Sequence, residues 1–324
     1  MILRSLRAPA CAMAVALVTF AAGCDSSPRT KPAAGETPSP IVQAACRHRL
    51  DPSTSGTLQS AELDESSGIA VSAKNPGTLW INNDSGDTAR LFAVAPDGAL
   101  QGIYPFEGAS AIDWEDVALG PGPVAKAPYL YAADIGDNGA VRPHVVVYRA
   151  REPKVVADGG THPIVGVDAL TLTYPDGAHD AEALMVDPRS GEIYIVVKHL
   201  TTGGPAAVYR APAGLAAGST TVLTKAGEVR LPFGPVAFAV TAGDISRDGK
   251  AIGLRTYGSV RLWHLGPKQT VMTALGSKPC QGPIPLEPQG EALGFQPDDR
   301  GYFTVSEGVH APLHHVTAPA TRKP

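Results

Sequence analysis

DISRDGKAIGLRTYGSVRLW, residues 244–263, alternates short apolar runs with turns. Asp248-Gly249 precedes the run AIGLR, Tyr257-Gly258 follows it, and SVRLW comes next. Short runs rich in β-branched and aromatic residues, bounded by Gly and Asp, read as strands joined by tight turns. Connections this short allow no crossover helix, so neighbouring strands must pair antiparallel. The stretch therefore reads as part of a meander.

Outward from this stretch, the same cadence recurs at the spacing of roughly 40–60 residues typical of repeat architectures. SGIAVS (67–72), EDVALG (115–120), EALMVD (182–187), GDISRD (243–248) and EALGFQ (291–296) align as one strand. A second apolar run follows each: GTLWIN, PYLYAA, EIYIVV, KAIGLR and GYFTVS. A third follows as ARLFAV, HVVVYRA, AAVYRA, SVRLWHL and PLHHV. A less regular fourth reads ALQGIYPF, DALTLTY, GEVRLP and QTVMTAL. Four-stranded meanders in tandem predict an all-β chain with a single β-propeller of five blades. Units two and three are long enough to leave six open. The last unit lacks a fourth strand, and GTLQSAEL (56–63) is spare at the other end. An N-terminal strand completing the last blade would close the ring and remove exposed sheet edges.

The order DGK, strand, VRLW in the fourth unit resembles a WD40-type blade. ESSGIA, DWEDVA and DAEALMVDP are similar to units of secreted propellers of the SMP-30-like, NHL-like and phytase/esterase-like families. The resemblance covers about residues 55–316 and implies the fold. Propellers host many unrelated activities, so it implies no single function.

Of the 324 residues, 44% are apolar, enough for a sizeable core, and the net charge is only −4. No basic stripe suggests a nucleic-acid surface. At the N-terminus, Arg4 and Arg7 precede CAMAVALVTFAA, an apolar stretch too short to span a bilayer comfortably. It ends in AAGC, which resembles the lipobox of bacterial lipoproteins, with Ala21 where that family usually has Leu. The resemblance implies lipidation at Cys24 and a mature chain anchored on the outer side of a membrane; ordinary secretion is the alternative. The boundaries are then a signal peptide (1–24), a Pro/Ser-rich tether (25–45), the propeller (46–317) and a C-terminal tail (318–324). With Cys11 and Cys24 assigned to the leader, Cys46 and Cys280 remain, and in an oxidising compartment they most simply form a disulfide. The expected protein is a monomer whose partners are the membrane, through Cys24, and a small ligand or cell-envelope protein.

NNDSGD (82–87) and AADIGD (132–137) echo one another at the end of the second strand in units one and two. Starts of first strands and ends of second strands must lie on one face of the disc, around the central channel. This row of positions gathers Glu65, Asp113, Glu115, Asp180, Glu182 and Glu291 with Asp84, Asp134, Lys198, Arg255 and Glu307. Clustered carboxylates favour a bound cation, and Ca²⁺ takes six to eight oxygen ligands. The expected metal ligands are Glu65, Asp84, Asp113, Glu115, Asp134 and Glu291. Asn83, Asp137, Glu182, Lys198, Arg255 and Glu307 are the expected ligand-binding residues, with Glu182 facing Lys198 and Asp244 facing Arg255. Without a metal, such Asp/Gly turns also serve as simple turn punctuation.

No GxSxG, HExxH, P-loop or CxxC motif occurs. His314 and His315, adjacent on a strand, point to opposite faces and read as packing residues, as do Trp114 and Trp263. Three functions stay open: a binding module, a metal-dependent hydrolase of phosphoesters or lactones in which Lys198 and Arg255 meet an anionic substrate, and a structural role in the envelope.

Overall fold

A computed structural model describes residues 39–198, 205–231, 239–285 and 287–320. Cys24, the expected leader, residues 25–38 of the tether and residues 321–324 of the tail lie outside these residues.

The described chain begins with α1 (Pro40–Cys46) and β1 (Asp51–Thr57). The first blade follows as β2 (Ser66–Val71), β3 (Leu79–Asn83), β4 (Arg90–Val94) and β5 (Leu100–Pro105). The second is β6 (Trp114–Pro121), β7 (Pro128–Asp134), β8 (Val145–Arg151) and β9 (Asp168–Thr173). The third holds β10 (Ala181–Val186), β11 (Ile193–Val197) and β12 (Ala206–Ala211); after the short β13 (Thr220–Val222) it ends with β14 (Thr224–Val229). The fourth holds β15 (Val240–Ile245), β16 (Ala251–Thr256) and β17 (Ser259–His264), and, after α2 (Val271–Leu275), β18 (Cys280–Gly282). The fifth holds β19 (Gly290–Phe295), β20 (Gly301–Ser306) and β21 (Pro312–Thr317), with β1 as its outermost strand. The innermost strands β2, β6, β10, β15 and β19 touch in cyclic order, β19 returning to β2. The chain is an all-β propeller of five blades.

The apolar pattern explains this architecture. Each blade is buried on both faces, so its central strands read as continuous apolar runs rather than alternating ones. Five hydrophobic clusters result, one between each pair of neighbouring blades. Trp80 and Trp114 fill the first interface, with Phe106 edge-on to Trp114 at 5.5 Å. Trp263 fills the interface between the third and fourth blades. His315 stacks on Phe303 at 4.4 Å, while His314 hydrogen-bonds Thr54 on the opposite side. These are the packing roles expected of both histidines.

The ring closes through its N-terminal strand, five residues earlier than GTLQSAEL. β1 pairs antiparallel with β21, Asp51 opposite Thr317 and Thr57 opposite Pro312. DPSTSGT hides from an apolar search because an outermost strand is exposed and carries few apolar residues. Leu58 and Leu63, which made GTLQSAEL look like a strand, are buried in the seam between the fifth and first blades. QTVMTAL is likewise no strand. Thr270 caps α2, and Val271, Ala274 and Leu275 bury one helical face at the i, i+3, i+4 spacing. The surplus length in unit three is not a sixth blade: β13 adds parallel to β9 as a fifth strand of the second sheet.

Cys46 and Cys280 form a disulfide, closing a loop of sequence separation 234. In the simple entropy model such a loop contributes about 5 kcal/mol. The bridge ties α1 to β18 of the fourth blade, one blade away from the β1–β21 seam. α1 occupies the last residues of the expected tether and buries Ile41, Val42 and Ala45 against the fourth and fifth blades. No described helix is long and apolar enough to cross a membrane.

Candidate functional site: the acidic channel mouth

Every innermost strand carries the same irregularity. Its pairing with the second strand slips by one residue between Ser66 and Gly68, Trp114 and Asp116, Ala181 and Ala183, Val240 and Ala242, and Gly290 and Ala292. The extra residues are Ser67, Glu115, Glu182, Thr241 and Glu291, all buried. A bulge leaves its extra residue outside the ladder and re-aims the side chain. Five bulges at one level thus build a ring around one end of the channel. The fourth blade enters this ring with Thr241, not Gly243. Its strand is displaced by two residues, a shift that preserves side-chain parity and so leaves the apolar pattern unchanged.

The residues just past the ends of the second strands complete the mouth: Asp84, Ile135, Lys198, Tyr257 and Glu307. The amides of Asp84, Lys198 and Glu307 donate to the carbonyls of Glu65, Asp180 and Gln289, which pins these ends to the strand starts. Asp134 therefore corresponds to Asn83, not to Asp84: it lies opposite Trp114 as Asn83 lies opposite Ser66. The echo between the two turns is out of step by one residue. Gly86 is in the left-handed region at φ +93°, and Gly136 is not.

This offset separates the expected residues. Asp84, Asp113 and Glu115 each bring a carboxylate oxygen to within 4.8 Å of the others. Asp113 shares a hydrogen bond with Asp84; burial, and then the Asp84 charge, push its carboxyl up to about 7. Burial and the same two aspartates hold Glu115 well above the usual carboxylate range. Gly136 backs the group: a Cβ there would sit 2.2 Å from Glu115 Oε1 and 2.5 Å from Asp113 Oδ2. Only glycine leaves these carboxylates their place.

Glu65 and Glu291 face this group from the fifth-blade side, beside Glu307, whose carboxyl burial and the Glu291 charge raise to about 7. Glu291 hydrogen-bonds the Tyr257 hydroxyl, and Gln289 Nε2 donates to Glu307 at 2.6 Å. Lys198 pairs with Glu182 as expected, its Nζ lying 5.4 Å from the Tyr257 ring centre. The mouth is acidic on one side and neutralised on the other.

Four expected ligands are engaged within the fold instead. Asp134 pairs with Arg142 at 2.9 Å and accepts from the amides of Ile112 and Asp113. Asp137 accepts from the Arg142 amide at 2.7 Å, so both aspartates hold the loop after β7. Arg255 is fully buried; it pairs with Glu287, not Asp244, and donates to the carbonyl of Ala292. Asn83 donates to Glu62 O and Asp87 Oδ2, fixing the first turn. Sequence reasoning missed Tyr257 and Gly136. Tyr257 carries no charge, but it stands directly after a second strand, and that register position would have found it.

No family model and no curated protein matches the chain. Among solved structures, a glucose dehydrogenase matches with a TM-score of 0.43 and 11% identity, over 83% of this chain and all of that one. A likeness this distant carries no argument about chemistry.

Proposed function

We propose that this protein is a lipid-anchored, extracytoplasmic propeller that binds Ca²⁺ at Asp84, Asp113 and Glu115 and uses the loaded mouth to hold a ligand or partner. The carrying observation is the approach of those three carboxylates to within 4.8 Å. Without a counter-charge they repel one another, and a divalent cation converts that repulsion into attraction. The donor set is all oxygen, which suits a hard cation. Gly136 supplies the clearance. Ser67 Oγ and Glu182 Oε2, buried on the same ring without hydrogen-bond partners, are further polar atoms a bound group would satisfy.

The binding reading is preferred to the hydrolase reading. The hydrolase needs a cationic side chain for its anionic substrate, and the two assigned to it are engaged: Lys198 by Glu182 and Arg255 by Glu287.

Thermal melting of the purified chain with Ca²⁺ and with chelator tests the proposal, because a ligand that binds only the folded state raises the melting temperature. Ca²⁺ should raise it, and the double variant Asp84→Asn, Asp113→Asn should lose the increment. Identical curves for the native protein in both conditions would overturn it. Mass spectrometry of the mature protein tests the anchor: an unacylated N-terminus would remove it.

A further inference from the structure

The channel has a second end. There, where the innermost strands finish, a cavity of about 240 Å³ is lined by Val71, Leu119, Ile245, Phe295 and several prolines. Its polar side chains are Asp244, Lys126 and Arg247. The volume is below the roughly 300–1,000 Å³ of drug-sized pockets, so it suits a small molecule.

The charges are ordered by depth. Asp244 is on β15 within the channel. Its Oδ1 accepts from the Ile245 amide and its Oδ2 from the Phe295 amide, both at 2.8 Å. Each oxygen keeps a further lone pair. No cationic side chain lies within ion-pair distance of it among the described residues. Burial pushes the Asp244 carboxyl up to about 7, and a cation beside it would favour its ionised form. The base of the cavity is therefore a site for a positive group. Lys126 and Arg247 are exposed at the outer edge, and Lys126 is held at φ 62°, in the left-handed region that a lysine rarely adopts. Backbone strain of this kind collects where ligands bind.

We propose that this cavity binds a small aliphatic zwitterion, its ammonium inward on Asp244 and its acid group outward on Lys126 and Arg247. The apolar wall between them takes the spacer. The inference is independent of the cation reading of the acidic mouth, which shares none of these residues.

Titration calorimetry of the full chain with 6-aminohexanoate, hexylamine and hexanoate is the test. We expect 6-aminohexanoate to bind about tenfold or more tightly than either singly charged compound, a difference of about 1.4 kcal/mol. Asp244→Asn should weaken both amines by at least as much. Should that variant fail to fold, Arg247→Ala, at an exposed position, answers instead: it should weaken 6-aminohexanoate and leave hexylamine unchanged. Hexanoate binding as tightly as 6-aminohexanoate, no heat from any of the three, or unchanged 6-aminohexanoate affinity in a folded Asp244→Asn or in Arg247→Ala would overturn the proposal.

Discussion

Arg255 and Glu287 form an ion pair closed to water, their side chains 0% and 2% exposed. The guanidinium also donates to the carbonyls of Ala292 and Val305, so a residue of the fourth blade is bonded to both inner strands of the fifth. Removing one partner of such a pair strands the other charge, which costs about 3–5 kcal/mol. Arg255→Met should destabilise the fold by that amount in urea unfolding. Adding Glu287→Leu should recover part of the loss, because the stranded carboxylate is gone. A double variant less stable than Arg255→Met would show that the carbonyl contacts, not the ion pair, hold this interface.

A second cross-blade bond sits in the channel. Asp116 of the second blade accepts from the Leu184 amide of the third at 2.9 Å and from the Gly243 amide of the fourth at 3.4 Å. Innermost strands have an unpaired edge facing the axis, and this carboxylate satisfies amides there. In Asp116→Ala, the Leu184 and Gly243 amides lose this acceptor. A buried unsatisfied group costs about 1–3 kcal/mol, so unfolding should show a loss in that range. Hydrogen exchange should accelerate at Leu184 and Gly243. Unchanged exchange at both amides would mean that the carboxylate is not what closes this edge.

The propeller was legible because interfaces between blades leave a strong signal: ARLFAV, EIYIVV and AIGLR are apolar on both faces because both faces are packed. What escaped was whatever that signal does not report. DPSTSGT is an outer strand with no apolar face to read. QTVMTAL has a three-to-four residue period that a search for fourth strands overlooks. At the site, carboxylates at strand starts single out Asp113, Glu115 and Glu291, which the structure places at the channel mouth. The echoed turns are out of step by one residue, and the fourth blade is displaced by two, a shift that keeps side-chain parity and leaves the apolar pattern unchanged. An alignment on apolar residues therefore puts Asp134 and Arg255 at the mouth and passes over Tyr257.

Asp299 makes stability depend on pH. It is 3% exposed, and its carbonyl accepts from the Ile41 amide, docking α1. Burial pushes its carboxyl up from 3.8 to about 7. The folded state therefore keeps a proton that the unfolded chain has released. Its contribution is full below about 3.8 and is lost as pH rises through about 7. Asp299→Asn removes that titration, and asparagine tolerates the residue's φ of 55°. The variant should melt above the native protein at pH 8 and lose most of this advantage at pH 5. An advantage of equal size at both values would assign the gain to backbone preference instead.

Gly86 and Gly136, the two glycines of the echoed turns, should respond oppositely to alanine. Gly86 sits at φ +93° with open space around its Cα, so a methyl group meets no atom and costs only backbone strain, about 1–2 kcal/mol. Gly136 has no positive φ to protect. Its methyl carbon would instead press on Glu115 Oε1 and Asp113 Oδ2, ends of side chains that can yield by turning away. Gly86→Ala should lower the melting temperature equally with Ca²⁺ and with chelator, leaving the increment intact. Gly136→Ala should leave melting in chelator nearly unchanged and abolish the increment. If Gly136→Ala keeps the full increment, the three carboxylates do not hold the ion, and any Ca²⁺ effect must come from elsewhere on the propeller.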